Sequence, residues 1–245
     1  MKNVIIDTMG EFAAQQITGY QTALAGLVSD AMNPVAPTRR EFAASVQRLQ
    51  ASCLSALAQV FDTAVGEVSQ SGIVNADPEA GLVVRTQIAT DAQQGRNAAL
   101  GTVAQALARD AEAAQSRVRD FGLKVQLLMG AGGRSYSSAV IAASIPERAR
   151  GITFGQTDAA GRRWKSANFV AATLKGALQG IYADAFVRTA AADGATGVVV
   201  QYTDPEHEGH GRVVPFAETD ETPGYLTVRN EVFHPNSRAT LARQE

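Results

Sequence analysis

From Leu100 to Leu128 an apolar residue recurs at every third or fourth position: Leu100, Val103, Leu107, Ala111, Ala114, Val118, Phe121, Val125 and Leu128. An α-helix brings such positions onto one face, and Arg109, Asp110, Glu112, Arg117, Arg119 and Asp120 then cover the others. The centre of the stripe is alanine. Small side chains bury little area, so this helix needs close neighbours to stay folded. Those neighbours are either the chain's own helices or another subunit. For the second case Leu100, Val103, Leu107, Val118 and Phe121 are the interface candidates.

Local signals extend the helical reading over the whole first half. A first helix is expected from Glu11 to Met32, stopping before Asn33-Pro34. Thr38-Arg39-Arg40-Glu41 is a capping box, and the helix that it opens should run to Ser71 with Gly72 as its stop. Asp77-Pro78 should cap and open a third helix, reaching Met129 before Gly130, Gly132 and Gly133. Gly81, Gly95, Gly101 and Gly122 lie inside it and predict a bend or break. Aromatic usage agrees with a change of character. The first 120 residues hold only Phe12, Tyr20, Phe42 and Phe61 of the chain's aromatics, and all three histidines come later. Residues 1–129 therefore read as an elongated, mainly α-helical arm or bundle, and residues 130–245 as a small mixed domain.

In that second part Ser144-Ile145-Pro146-Glu147 is another possible capping box. Trp164, the single tryptophan, stands among Arg162, Arg163 and Lys165 and is the expected aromatic anchor of the domain. Ser166 or Asn168 should cap a long helix toward Ala192, with Val170, Leu174, Leu178, Ile181 and Ala185 along one side. Gly194 and Gly197 end it and lead into the strand Val198–Tyr202. Val213–Phe216 and Tyr225–Val228 read as weaker strands, the former at an edge because of Pro215. The fold class is α+β, with a long helix on short antiparallel strands.

A formal net charge of -2 provides no overall basic field for nucleic acid. The lone Cys53, among Leu49, Leu54 and Leu57, excludes an intrachain disulfide framework and reads as a small buried hydrophobe. No run has the length of a membrane span, and the opening residues lack a secretory apolar region. These features point to a soluble protein made in a reducing compartment. The densest chemistry is Tyr202–Arg212, where His207 and His210 have the spacing of paired metal ligands. With His234, and with Asp204, Glu206 or Glu208, they form a candidate site for a structural zinc ion. A metal-dependent hydrolase or nuclease would use the same histidines. Nucleophile elbows, phosphate-binding loops, zinc-protease helices and dinucleotide fingerprints are all missing from the sequence, so no catalytic residue is assigned. A DNA-binding module would rest on Arg162, Arg163 and Lys165.

Three segments carry a family resemblance. They are Gly161-Arg162-Arg163-Trp164 leading into Tyr182-Ala183-Asp184-Ala185 and Arg188-Thr189; Gly194 with Val198-Val199-Val200, the polar turn and Gly211-Arg212-Val213; and His234-Pro235-Asn236-Ser237-Arg238. In this order they resemble the minor head proteins of tailed bacteriophages, the Mu F-like or head-morphogenesis family. The resemblance covers about residues 120–243. Relatives commonly carry a Cys-x-x-Cys where His207 and His210 stand, and a cysteine where Ser237 stands. The resemblance implies a structural virion protein made in the host cytoplasm and placed in the capsid interior or at the portal vertex. It would be present in several copies and support head morphogenesis and DNA packaging or delivery. Its implied partners are the portal protein, other head or connector proteins and packaged double-stranded DNA, with residues 1–129 as the region that meets the portal.

Overall fold

The structure, a computed structural model, describes every residue except 1, 34, 36, 37, 159, 220, 221, 235, 236 and 245, and residues 148–150 through their backbone alone. The chain has an α+β fold. Six helices, α1 (Lys2–Ala31), α2 (Arg39–Ala76), α3 (Leu82–Gly132), α4 (Tyr136–Arg150), α5 (Ser166–Ala192) and α6 (Tyr225–Val232), account for most of it. The strands are β1 (Gln156–Thr157), β2 (Arg163–Trp164), β3 (Gly197–Gln201), β4 (Val213–Pro215) and β5 (Thr240–Gln244). Among the described residues no helix is long and apolar enough to cross a membrane.

Several helices outrun their sequence signals. The first begins at Lys2 rather than Glu11, because Ile6, Met9, Ala13, Ile17, Tyr20, Leu24 and Val28 form one buried stripe that does not break at Glu11. Pro34, the expected stop after it, lies outside the described residues. The capping box forms as expected: the Thr38 amide donates to Glu41 Oε2 at 2.7 Å and the Glu41 amide to Thr38 Oγ1 at 3.2 Å. The Thr38 amide, with the Thr38 hydroxyl donating to the same oxygen at 2.8 Å, holds the Glu41 carboxyl below its ordinary value. Asp77 and Pro78 form a linker turn, with Asp77 Oδ1 accepting from the Glu79 amide at 2.9 Å, and the helix itself starts at Leu82. α3 then continues through all of its internal glycines to Gly132. Ser144 and Pro146, read as a helix start, fall inside α4, whose cap is Ser135.

Gly72 does not stop α2. A Cβ there would lie 2.6 Å from the Tyr182 carbonyl oxygen and 2.9 Å from Ala185 Cβ, so the glycine is what lets the backbones of α2 and α5 meet.

Packing separates two compact units. One comprises Met1–Ala13, Ala58–Thr102 and Ala171–Glu245, the other Ala14–Leu57 and Val103–Val170. The boundary expected at 129/130 falls within the second unit. Long helices give one segment to each unit, so the units alternate along the chain.

In the first unit β3 is the middle strand of an antiparallel sheet ordered β4-β3-β5, with Val198 opposite Val214 on one side and Arg243 on the other. Val198, Val200, Val214 and Leu241 pack with Phe186, Ala190, Tyr225, Val228 and Phe233. Pro215 sits in β4 at the sheet edge, as expected. Tyr225–Val228 is not a strand. Tyr225, Val228 and Val232 are buried while Leu226 is exposed, which is a helical period, and the segment opens α6. α5 buries more than one side: Leu174, Leu178, Gln179, Ile181, Tyr182, Ala183, Phe186 and Thr189 are all buried. The second unit holds the antiparallel hairpin β1–β2, with Gln156 opposite Trp164.

The Gly72 contact generates a paired test. Gly72→Ala should destabilise the protein by about 1–3 kcal/mol through overpacking against backbone. Gly66→Ala, in the same helix with nothing within 4 Å of its would-be Cβ, should stabilise by roughly 0.5–1 kcal/mol. Denaturant unfolding of the two variants checks the difference in sign.

Candidate functional site

The polar turn between β3 and β4 is held by its own histidines. The His207 ring stacks on Tyr202 with centroids 3.7 Å apart and planes 16° apart. Its Nδ1 accepts from the Gly209 amide at 3.1 Å. His210 Nδ1 lies 3.1 Å from the Tyr202 amide and 3.0 Å from the Tyr202 carbonyl, accepting from the first or donating to the second according to tautomer. Both imidazoles are thus engaged in closing the loop. Among the described residues no group of three or more histidine, cysteine, aspartate or glutamate side chains converges as a metal site, so His207, His210 and His234 are not gathered into the expected zinc set.

His234 opens the terminal segment, accepting from the Ser237 amide through its carbonyl at 2.9 Å. Pro235 and Asn236 lie outside the described residues. Ser237 is buried: its carbonyl accepts from Gln179 Nε2, and its hydroxyl oxygen accepts from the Ala239 amide at 3.1 Å. Gln179 in turn accepts at Oε1 from Lys2 Nζ at 3.0 Å, and Lys2 also donates to the Ala239 carbonyl. The ammonium sits 4.4 Å from the centre of the Tyr182 ring. Lys2 is only 5% exposed, and the neighbours named here are all uncharged. Burial lowers its pKa from 10.5 to about 8. This clasp joins α1, α5 and the approach to β5. No sequence signal marked Lys2 or Gln179, because the pairs span 177 and 58 positions.

A second polar node joins α5 to α6. Tyr225 Oη donates to Asp184 Oδ1 at 2.8 Å, Arg229 Nε donates to the same oxygen at 2.6 Å, and Arg229 Nη2 pairs with Oδ2. Burial and the neighbouring carboxylate push the Tyr225 phenol up, and the Asp184 bonds raise Arg229. Gly180 makes room for that guanidinium, since a Cβ there would lie 2.5 Å from Nη2. Asp91 and Arg188 form a further ion pair nearby. Asp91, Asp184 and Arg229 border a cavity of about 300 Å³, floored by Ile88, Ala92 and Ile181. Its two carboxylates are each matched by an arginine, so the charges hold helices together.

The interface candidates are mostly interior. Val103 and Leu107 are 0% and 1% exposed, Phe121 is buried, and Leu100 and Val118 are half-buried. Of the two alternatives, packing against the chain's own helices is the one that agrees with the burial of Val103, Leu107 and Phe121. Asp110, expected on a solvated face, is buried as well. It accepts from Gln21 Nε2 at 2.8 Å, Ser166 Oγ at 2.8 Å and Gln156 Nε2 at 3.3 Å. Desolvation nonetheless raises its pKa. Ser166 therefore serves this buried network rather than a free helix end. Cys53 is buried as expected, and burial pushes its thiol up to about 11.

Trp164 is half-buried and belongs to the β1–β2 hairpin. Its Nε1 donates to Asp158 Oδ2 at 3.0 Å, and the Arg162 guanidinium lies 5.8 Å from its ring centre. Asp158 also accepts from the Arg162 and Ala160 amides at 2.9 and 3.0 Å and from Arg162 Nε at 2.7 Å. Those donors, the Arg162 amide first, hold its carboxyl down at about 2. Trp164 thus braces a turn, while Tyr182, Phe186 and Phe61 are the fully buried aromatics. Arg163 and Lys165 remain exposed beside it.

Comparison with family models, with curated proteins and with solved structures gives no match to this chain.

Two measurements follow from this geometry. Because folding lowers the Lys2 pKa, the unfolded chain binds that proton more tightly, and the cost of burying the charge is fully present below pH 8. Relative to Lys2→Met, the stability of the parent should therefore rise from about pH 8 to about pH 9.5, while the raised Cys53 thiol acts in the opposite sense in both proteins. Denaturant titrations of the two proteins measure this difference; parallel profiles would mean that Lys2 is not buried in solution. Trp164→Ala should cost about half of the ~3–5 kcal/mol expected for a fully buried ring. Thermal melting of that variant tests it.

Proposed function

We propose that this protein is a structural component of a bacteriophage virion, a minor head protein acting at the portal vertex in head morphogenesis without catalysing a reaction. The observation that carries the reading is the ordered set Gly161–Trp164, Val198–Arg212 and His234–Arg238; the second supplies the central strand β3 and its polar turn, and the third supplies Ser237 to the clasp. Tyr182 and Asp184, from the same resemblance, are built into that unit: Tyr182 Oη accepts from Asn75 at 3.1 Å, and Asp184 holds α6. Four side chains that an enzyme could use make structural contacts instead. His207 and His210 close a turn, and Asp184 and Asp91 pair with arginines. Ser237, at a cysteine position of the family, replaces a thiol by a hydroxyl that accepts one backbone hydrogen bond. Portal protein and other head or connector proteins are the proposed partners, with several copies per particle giving avidity to a modest single-chain contact.

The test is made on the phage that encodes the chain. Peptide mass spectrometry of gradient-purified particles should find it. A deletion of its reading frame should block the formation of DNA-filled, infectious heads, with rescue by the chain supplied from a plasmid. Infectious particles of normal yield that lack the chain would overturn the reading.

A further inference from the structure

The turn joining α3 to α4 is the most continuously exposed part of the described chain. Every residue from 129 to 138 is exposed. Leu127-Leu128-Met129-Gly130-Ala131-Gly132-Gly133 carries no charge and no hydrogen-bonding side chain. Leu123, Leu127, Met129, Tyr136, Ile141 and Ile145 are large apolar side chains open to solvent, with Leu127 and Ile145 each 68% exposed. These six fall within one helical hairpin.

The hairpin is rigid behind its tip. Glu147 of α4 is buried, pairs with both Arg117 and Lys124 of α3, and accepts from Arg117 Nη2 through its carbonyl at 3.0 Å. Gly133, at φ 57°, turns the chain, and Ser135 caps α4 by accepting from the Ser138 amide. Arg134 is exposed at the apolar tip and Arg119 further down α3, beside exposed Asp120, while Lys124 is paired with Glu147. In a chain of net charge -2, Arg134 puts positive charge at this end.

We propose that the α3–α4 hairpin tip docks on the surface of an anionic lipid bilayer. Leu127–Gly133 enters the headgroup boundary, Tyr136 lies at headgroup level, and Arg134, with Arg119 behind it, meets lipid phosphates. A symmetric contact with a second copy would set these cations against their own equivalents. A protein groove needs side chains to interlock, and the four residues Gly130–Gly133 supply almost none. A bilayer asks only for apolar area and opposite charge. Insertion stops at the interface, because the last carbonyls of α3 need water or donors. The inference rests on the hairpin alone and stands apart from the virion reading.

Flotation of the full chain with vesicles tests it. Vesicles of phosphatidylcholine mixed with phosphatidylglycerol should bind the parent, and pure phosphatidylcholine should bind it at least about fivefold more weakly. Leu127→Glu with Met129→Glu should abolish binding, and Arg134→Glu should weaken it by about fivefold or more. All three positions are exposed, and circular dichroism confirms folding; if the glutamate pair misfolds, serines at the same two positions carry the test. No flotation with the mixed vesicles, or equal flotation of the parent and the Leu127/Met129 variant, overturns the proposal. So does capture by a protein partner without vesicle binding.

Discussion

Close approach of α2 to α5 at Gly72 is the contact on which the first unit depends. Without a Cβ at that position, the Tyr182 carbonyl and Ala185 come into direct contact with the neighbouring helix. Tyr182 then reaches Asn75, and its ring becomes the platform for the Lys2 ammonium. Lys2 binds Gln179 and the Ala239 carbonyl, which positions the start of β5 beside the free edge of β3. A single missing methyl group is thus the first step of a path from helix packing to sheet completion. Alanine-rich helices make this necessary. Their side chains bury little surface each, so dispersion contacts must come from proximity.

Several polar groups that packing draws away from water gather in small hydrogen-bonded sets. Asp184 receives three donor groups from Tyr225 and Arg229. Asp110 receives three neutral ones, and its pKa still rises because hydrogen bonds from neutral groups only partly replace water. Lys2 is the mirror case, a cation among neutral acceptors. Each set ties together segments far apart in sequence, so each acts as a positional lock as well as a source of stability. The histidine turn is a local version of the same device.

Legibility differed by the range of the interaction. The Thr38–Glu41 box, the helices after Thr38 and Ser166, the strand after Gly197 and the edge position of Pro215 were readable, because a residue and its next few neighbours decide them. Gly72 was misread as a stop, since its partner lies in a different helix. Tyr225–Val228 was misread as a strand because its side chains suit a sheet, while the buried spacing to Val232 makes it helical. β5, with the sequence Thr-Leu-Ala-Arg-Gln, has no strand pattern of its own and exists because β3 offers unpaired backbone groups.

By itself the sequence determined a mainly helical chain with an apolar stripe along Leu100–Leu128 and a short Val-rich strand, through periodicity and capping. It also determined which polar residues were available. Only tertiary structure decided that the Val103–Phe121 stripe faces inward, that Asp110 and Lys2 are buried, and that His207 and His210 brace a turn. It alone left the Leu127–Gly133 segment uncovered. The physical reason is that periodicity defines a face but not what covers it. A carboxylate, an imidazole or a leucine acquires its role from neighbours that the fold brings in from elsewhere in the chain.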